Sequence, residues 1–284
     1  KYMGEAHEIR IKGSFNWINL LQIYTDKVAP KSGAGIDGVN VKEFSEHLMT
    51  YCKRIESSSL NEKYRYSPYI EMLRSKGRNK SPRVISKPTI KDKVTLAAIN
   101  NVLQEEFEDC LNRKLPNTYI RDLFLALASV DDISEYSFIK LDVAGFYDNL
   151  DRSILLRKVS ERIDNKEFIT LLRRAVINVT VPKGYKKKDR KKYASDLGVP
   201  QGLSISNILA SIYMKDFDGK FCDTGLIYIR YVDDILVIGK TSEIQGFEKD
   251  IQSELKILEL QTETKELNDS FLSKHNHSHM LLNV

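Results

Sequence analysis

The sequence predicts an α+β fold, and three observations carry that prediction. Apolar residues recur at three- and four-residue spacing over residues 15–24, 41–55, 92–107 and 243–260, the period of an amphipathic helix. Compact runs rich in β-branched and aromatic residues, at 82–88, 138–143 and 228–238, read as strands. The last run is interrupted by Asp233 and Asp234, so it is a hairpin with an acidic turn, spanning about residues 226–239. With 284 residues the chain is long for one simple core and comfortable for two lobes sharing a cleft.

Composition narrows the class. Hydrophobic residues make up 42% and charged residues 29%, as in a soluble globular protein, and no apolar run approaches the ~20 residues that span a bilayer. The first residues lack the basic-then-apolar pattern of a secretion signal, which places the protein in the cytoplasm with no membrane partner. A net charge of +5 says little until its distribution is considered. The three cysteines, Cys52, Cys110 and Cys222, form no Cys-x-x-Cys pair, which excludes a zinc knuckle and a disulfide framework and predicts reduced, buried thiols.

In chain order, a helical stripe of Trp17, Leu20, Leu21 and Tyr24 leads into a loop holding Gly33, Gly35 and Gly38, without the spacing of a phosphate-cradling motif. Val41, Phe44, Leu48, Cys52 and Ile55 predict the next helix, with His47 on its surface. From Arg74 to Lys93 the charge is one-sided: Lys76, Arg78, Lys80, Arg83, Lys87 and Lys91 meet only Asp92. Strand and turn signals there would fix these cations in place, which suits a polyphosphate or a nucleic-acid backbone better than a merely solvated face. A core helix follows over 92–107, with Asp92 as its expected cap. A further helical run starts at Tyr119.

The strand 138–143 ends on Asp142, a costly place for a carboxylate without a partner, and Ala144-Gly145-Phe146-Tyr147 follows. Asn149 to Ser153 turns into an amphipathic helix. The second basic block, 183–193, reads as a hairpin or loop, with Lys187 among its cations and Tyr185 and Tyr193 placed to stack on bases or to pack the loop. Val199-Pro200-Gln201-Gly202 is a rigid turn running into a helix over 204–221, where small residues let a ligand or backbone approach. After the hairpin come a helix over 243–260, a strand or turn at Thr262 to Lys265, and a tail with His275, His277 and His279 that reads as a solvated loop.

Adjacent aspartates repel: at ~4 Å and an effective dielectric of ~20 the cost is on the order of 4 kcal/mol. Asp233 and Asp234 alone leave a polar turn and a metal site equally open, because Asp is also a common turn residue. Asp142, about ninety residues earlier at another strand end, tips the balance. Three carboxylates from separate strands are what a pair of Mg²⁺ ions ~3.5–4 Å apart requires for phosphoryl transfer.

At this point the sequence resembles reverse transcriptases, and among them the bacterial group II intron, retron and defence-associated enzymes. Leu141 to Tyr147 resembles motif A, Val199 to Gly202 motif B, and Tyr231-Val232-Asp233-Asp234 the Tyr-x-Asp-Asp box of motif C. Residues 82–93 are similar to the fingers block, Gly33 to Val39 to the stretch preceding it, and Lys265 to the motif D lysine. Lys87-Pro88 and Leu203 to Ser206 depart from the intron-type pattern and leave the subgroup open.

The resemblance implies a right-hand polymerase: fingers over residues 1–130 and a palm over 131–284, the palm a ferredoxin-like antiparallel sheet backed by helices, with the thumb largely absent. It implies RNA-directed synthesis of DNA from deoxynucleotides on an RNA template and a DNA or RNA primer. Two Mg²⁺ ions, or Mn²⁺, would be held by Asp142, Asp233, Asp234 and the carbonyl of Val143. Phe146 and Tyr147 would lie under the incoming sugar, Arg83 and Lys87 would grip the triphosphate, and Gln201 would contact the nucleotide. Lys80, Lys91, Gly202 and Lys187 would meet nucleic acid, and Lys265 would protonate pyrophosphate. An RNA-binding intron maturase and a defence enzyme that makes DNA without an external template are the alternatives, and self-association is left open.

Overall fold

The computed structural model describes residues 2–75, 77, 81–111, 116–130 and 132–268. Lys80 and the histidines of the tail lie outside them. Helix α1 (Tyr2–Ser14) is followed by α2 (Trp17–Ile23), which starts where the Asn16 side chain accepts the Ile18 N–H. The stripe that begins at Val41 is cut at exposed His47 into α3 (Val41–Glu46) and α4 (Leu48–Ser59). Then come β1 (Tyr69–Arg74), β2 (Arg83–Lys87), α5 (Ile90–Glu106) and α6 (Pro116–Ala128). Next are β3 (Tyr136–Val143), α7 (Phe146–Asn149), α8 (Arg152–Ser160), α9 (Lys166–Val176) and the short β4 (Thr180–Val181). The chain continues with α10 (Ser206–Cys222), β5 (Ile227–Tyr231), β6 (Asp234–Lys240), α11 (Thr241–Ile244), α12 (Phe247–Ile257) and β7 (Thr262–Asn268).

These elements form two compact units, Lys1–Leu111 with Asp151–Ile212 and Asn112–Leu150 with Tyr213–Val284. In the first, β1 lies between β2, to which it is antiparallel, and β4, to which it is parallel. Helix α5 is a core helix, buried through Val94, Leu96, Ala98, Ile99, Val102 and Leu103, with Gln104 and Glu105 exposed near its C-terminal end. Helix α9 instead shows a clean stripe, Phe168, Leu171, Leu172, Ala175 and Val176.

Asp92 does not cap α5. Thr89 is the N-cap, its hydroxyl accepting the Asp92 N–H at 3.2 Å, while the fully buried Asp92 carboxylate accepts from the Tyr64 hydroxyl at 2.7 Å and the Ser67 N–H at 3.0 Å. That carboxylate staples the segment before β1 to the first turn of α5. Burial pushes its pKa above the usual carboxylate range, opposed by the charge of Lys91 and by the bonds it accepts. A raised folded pKa means that the native state holds the proton longer than the unfolded chain does, so this group's contribution falls as pH rises through that window. The stability of the wild type relative to Asp92→Asn should therefore decline as pH rises from the ordinary aspartate range through the raised folded-state pKa, measured by thermal melts of both proteins.

In the second unit all pairings are antiparallel, in the order β5-β6-β3-β7, with β6 between β3 and β5. One face packs on α6, where Leu123 meets Phe138 and Ile238, flanked by Leu127, Tyr136 and Ile227. Residues of the other parity, Ile139, Leu141, Val143, Ile235 and Val237, are buried. Tyr213 of α10 donates to the Leu258 carbonyl at 2.6 Å, tying α10 to the end of α12.

The expectation of three buried thiols holds for Cys52 alone; Cys110 is half-buried and Cys222 exposed, and none of the three is in a disulfide. The basic block is not a hairpin: residues Lys187–Tyr193 form a 3₁₀ stretch, braced by Lys192 on Asp189 at 2.8 Å and Arg190 on Asn178 at 2.8 Å. Among the described residues no helix is long and apolar enough to cross a membrane.

Candidate active site

Period-2 alternation sends Ile139, Leu141 and Val143 to the buried face of β3 and leaves Asp142 half-buried on the other, at the end of the strand. Gly145, at φ 53°, then turns the chain into α7. A side chain there would be strained by that left-handed conformation and would press on Asn149 Nδ2, 2.9 Å from where a Cβ would sit. Asn149 itself donates to the Ala144 carbonyl at 2.8 Å.

Strands β5 and β6 are joined by Val232 and Asp233 between the paired residues Tyr231 and Asp234. Val232 adopts φ 58°, the region that a two-residue hairpin turn demands and that glycine usually supplies. A β-branched residue there is strained, at a cost of about 1–3 kcal/mol, and such strain persists only where the surroundings impose it. One restraint is the Val143 N–H, which donates to the Asp233 carbonyl at 2.9 Å.

Register completes the site. Asp142 pairs directly with Asp234 on one side and with Glu263 of β7 on the other. One carboxylate oxygen from each of Asp142, Asp233 and Asp234 lies within 4.8 Å of the others, and all three residues are half-buried. Like charges directly across a pair of strands destabilise the sheet. Hard oxygen donors converging with partial solvent access fit Mg²⁺ or Mn²⁺, which keep part of their water shell.

The remaining expected residues fall as follows. Phe146 is 2% exposed and packs 5.4 Å from the ring of Tyr147, so the half-buried tyrosine is the one of the pair that presents surface. Lys265 is carried by β7, at the point where the register with β3 slips between Leu141–Thr264 and Lys140–Glu266. In the first unit, Arg83 is exposed and pairs with Arg74 across the strands, and Lys87 pairs with Ile70. The Gln201 carbonyl accepts the Ser86 N–H at 2.8 Å, which binds the Pro-Gln-Gly turn to β2.

Two further expected residues have close neighbours within the protein. The close approach at Gly202 is to the protein itself: its φ is 89°, and a Cβ would lie 2.5 Å from the Ile85 side chain. Lys91 is engaged internally, 3.2 Å from the Arg65 carbonyl and 4.8 Å over the ring of Tyr64. Lys187 is exposed on the 3₁₀ stretch.

A family description, reverse transcriptase (RNA-dependent DNA polymerase), matches residues 74–268, a span that contains all three aspartates. The chain belongs to the reverse transcriptase family. The chain is 23% identical to a COX1/OXI3 intron 2 protein of Saccharomyces cerevisiae over 75% of its own length and 25% of the relative's. It is 25% identical to protein YkfC of Escherichia coli, over 65% of its length and 49% of that protein's. A 91 kDa protein in the cob intron of Schizosaccharomyces pombe is 26% identical, over 58% and 20% of the two chains. The chain thus spans half or less of each of these relatives.

Proposed function

We propose that this reverse transcriptase is an RNA-directed DNA polymerase that adds deoxynucleotides to a primer 3′-hydroxyl by two-metal phosphoryl transfer in the cytoplasm. The observation that carries the reading is the convergence of Asp142, Asp233 and Asp234 on one point at the end of the antiparallel sheet. Strand order β5-β6-β3-β7, with the crossover between β3 and β5 skipping β6, supports a palm of ferredoxin-like topology. The same reading takes residues 1–130 as fingers and 131–284 as palm.

Asp142, Asp233, Asp234 and the Val143 carbonyl would hold the two ions. When bound, such ions lower the pKa of the attacking hydroxyl and stabilise the leaving oxygen. The chain's own residues do the positioning. Asp142 and Asp234, fixed by adjacent strands, hold their carboxylates in a geometry set before substrate arrives. Arg83 and Lys87 offer charge to the triphosphate, Gln201 meets the nucleotide, and Lys265 supplies a proton to the departing pyrophosphate. Lys187 and its neighbours bind phosphates of the RNA template.

Tyr147 is the gate for the sugar, because a 2′-hydroxyl collides with a bulky ring. Truncation by Tyr147→Ala should raise ribonucleotide incorporation relative to deoxynucleotide by roughly 10- to 100-fold, read as a ratio of kcat/KM values.

A second reading, an RNA-binding module acting in intron splicing, is favoured by the names of two relatives, the COX1/OXI3 intron 2 protein and the 91 kDa protein in the cob intron. Extension of a primed RNA template, compared with an RNA-binding assay and a template-free control, separates the two. Template-dependent extension that Asp233→Asn abolishes supports the polymerase. RNA binding without extension supports the splicing module, and incorporation without template would overturn RNA-directed synthesis.

A further inference from the structure

We infer that Arg230, locked by Asp218 and Tyr228, is a positioning residue that fixes the Val232–Asp233 turn and so sets the metal-binding geometry of Asp233 and Asp234. The inference rests on the polymerase reading of the triad. Its geometry lies wholly within the second unit.

Arg230 precedes the turn on β5, and its planar guanidinium is used on two sides. Nε donates to Asp218 Oδ1 at 2.7 Å and Nη2 donates to Asp218 Oδ2, a bidentate pair that fixes the plane of the fork. The Tyr228 hydroxyl donates to Asp218 Oδ1 at 2.7 Å, holding the carboxylate from β5 as well. The remaining nitrogen, Nη1, donates to the Val232 carbonyl at 2.8 Å. Arg230 has a side-chain exposure of only 11%, so this last bond is shielded from competing water.

The bond falls where a restraint is needed. Val232 sits at φ 58°, and its carbonyl belongs to the peptide that leads into Asp233. Rotation of that peptide would swing Asp233 away from Asp142. Of the two turn carbonyls, Asp233's is held by the Val143 N–H and Val232's by Arg230, so together they clamp the strained turn from both sides. Nothing in the sequence pattern marks Asp218, which lies in α10 twelve residues before its partner; only the folded chain pairs them.

Lysine separates positioning from structure, since one ammonium can keep the ion pair with Asp218 but cannot also reach Val232 with a fixed fork. Mn²⁺ binding to the full chain, followed by electron paramagnetic resonance, is the direct readout, with thermal melts and the Mg²⁺ concentration for half-maximal extension beside it. Arg230→Lys should melt close to the wild type, bind Mn²⁺ on the order of tenfold more weakly and need correspondingly more Mg²⁺. Asp218→Asn, which keeps one acceptor, should weaken binding by a few-fold. Tyr228→Phe, which leaves the Val232 bond intact, should bind within about twofold of the wild type. Wild-type Mn²⁺ affinity in Arg230→Lys, or equal losses in Arg230→Lys and Tyr228→Phe, would overturn the inference. A wild type that binds no Mn²⁺ would instead overturn the metal reading beneath it, and this inference with it.

Discussion

Asp142→Asn should lower single-nucleotide incorporation by three orders of magnitude or more while leaving the melting temperature at or above that of the wild type. The two halves of this result come from the same geometry. Asp142 faces Asp234 across the β3–β6 ladder, and both carboxylates stand within 4.8 Å of Asp233. Without ions, that cluster costs the fold: solvent screening of half-exposed groups leaves about 1 kcal/mol of repulsion. Asparagine keeps the shape and the hydrogen-bonding capacity and removes a charge, which relieves that repulsion. Loss of one ligand to a metal pair removes several kcal/mol of transition-state stabilisation, and every ~1.4 kcal/mol is a factor of ten in rate. Single-turnover incorporation and a thermal melt on the same preparations check both halves. Parallel loss of activity and stability would mean that Asp142 serves the fold instead.

Gly202→Ala should have the opposite signature, a loss of stability of about 3 kcal/mol. Left-handed backbone costs a residue with a Cβ about 1–2 kcal/mol, and the new methyl must displace the Ile85 side chain from 2.5 Å, an overpacking penalty of about 1–3 kcal/mol. Ile85 is on β2, whose Ser86 N–H binds the Gln201 carbonyl, so the strain is delivered to the Pro-Gln-Gly turn. Truncating the partner tests the cause. In Ile85→Ala/Gly202→Ala the clash term should vanish, leaving the double variant more stable than the sum of the two single losses by about 1–2 kcal/mol in chemical denaturation. Simple additivity would contradict the contact as the source.

Much of the second unit was legible because its signals are local. The runs at 138–143 and 228–238 are compact, rich in β-branched and aromatic residues and interrupted by aspartates, and the strands follow them closely at Tyr136–Val143, Ile227–Tyr231 and Asp234–Lys240. Helix boundaries were harder. Thr89 caps α5 in a Thr-x-x-Asp pattern, yet Asp92 spends its carboxylate on Tyr64 and Ser67, partners some 25 residues away or more that no local rule predicts. The break at His47 interrupts a stripe whose apolar spacing continues through it. Strand β1 had no counterpart among the expectations because its far half is exposed, and β4 has only two residues. At the site, the three aspartates could be named from their strand-end positions, whereas the Arg230–Asp218 pair could not, since it depends on which helix lies beside the hairpin. Gly202 was legible as a glycine that something must approach closely; that Ile85 is the neighbour required the fold.

The central claim is that Asp142, Asp233 and Asp234 hold the ions that drive RNA-templated DNA synthesis. Incorporation of a single deoxynucleotide on a DNA primer–RNA template, followed as Mg²⁺ is titrated from zero, tests it most directly. The account predicts no product in chelator, a rate that rises steeper than first order in Mg²⁺ at low concentration, and background rates for Asp233→Asn at every concentration. Incorporation that is indifferent to Mg²⁺, or that Asp233→Asn retains, would contradict it.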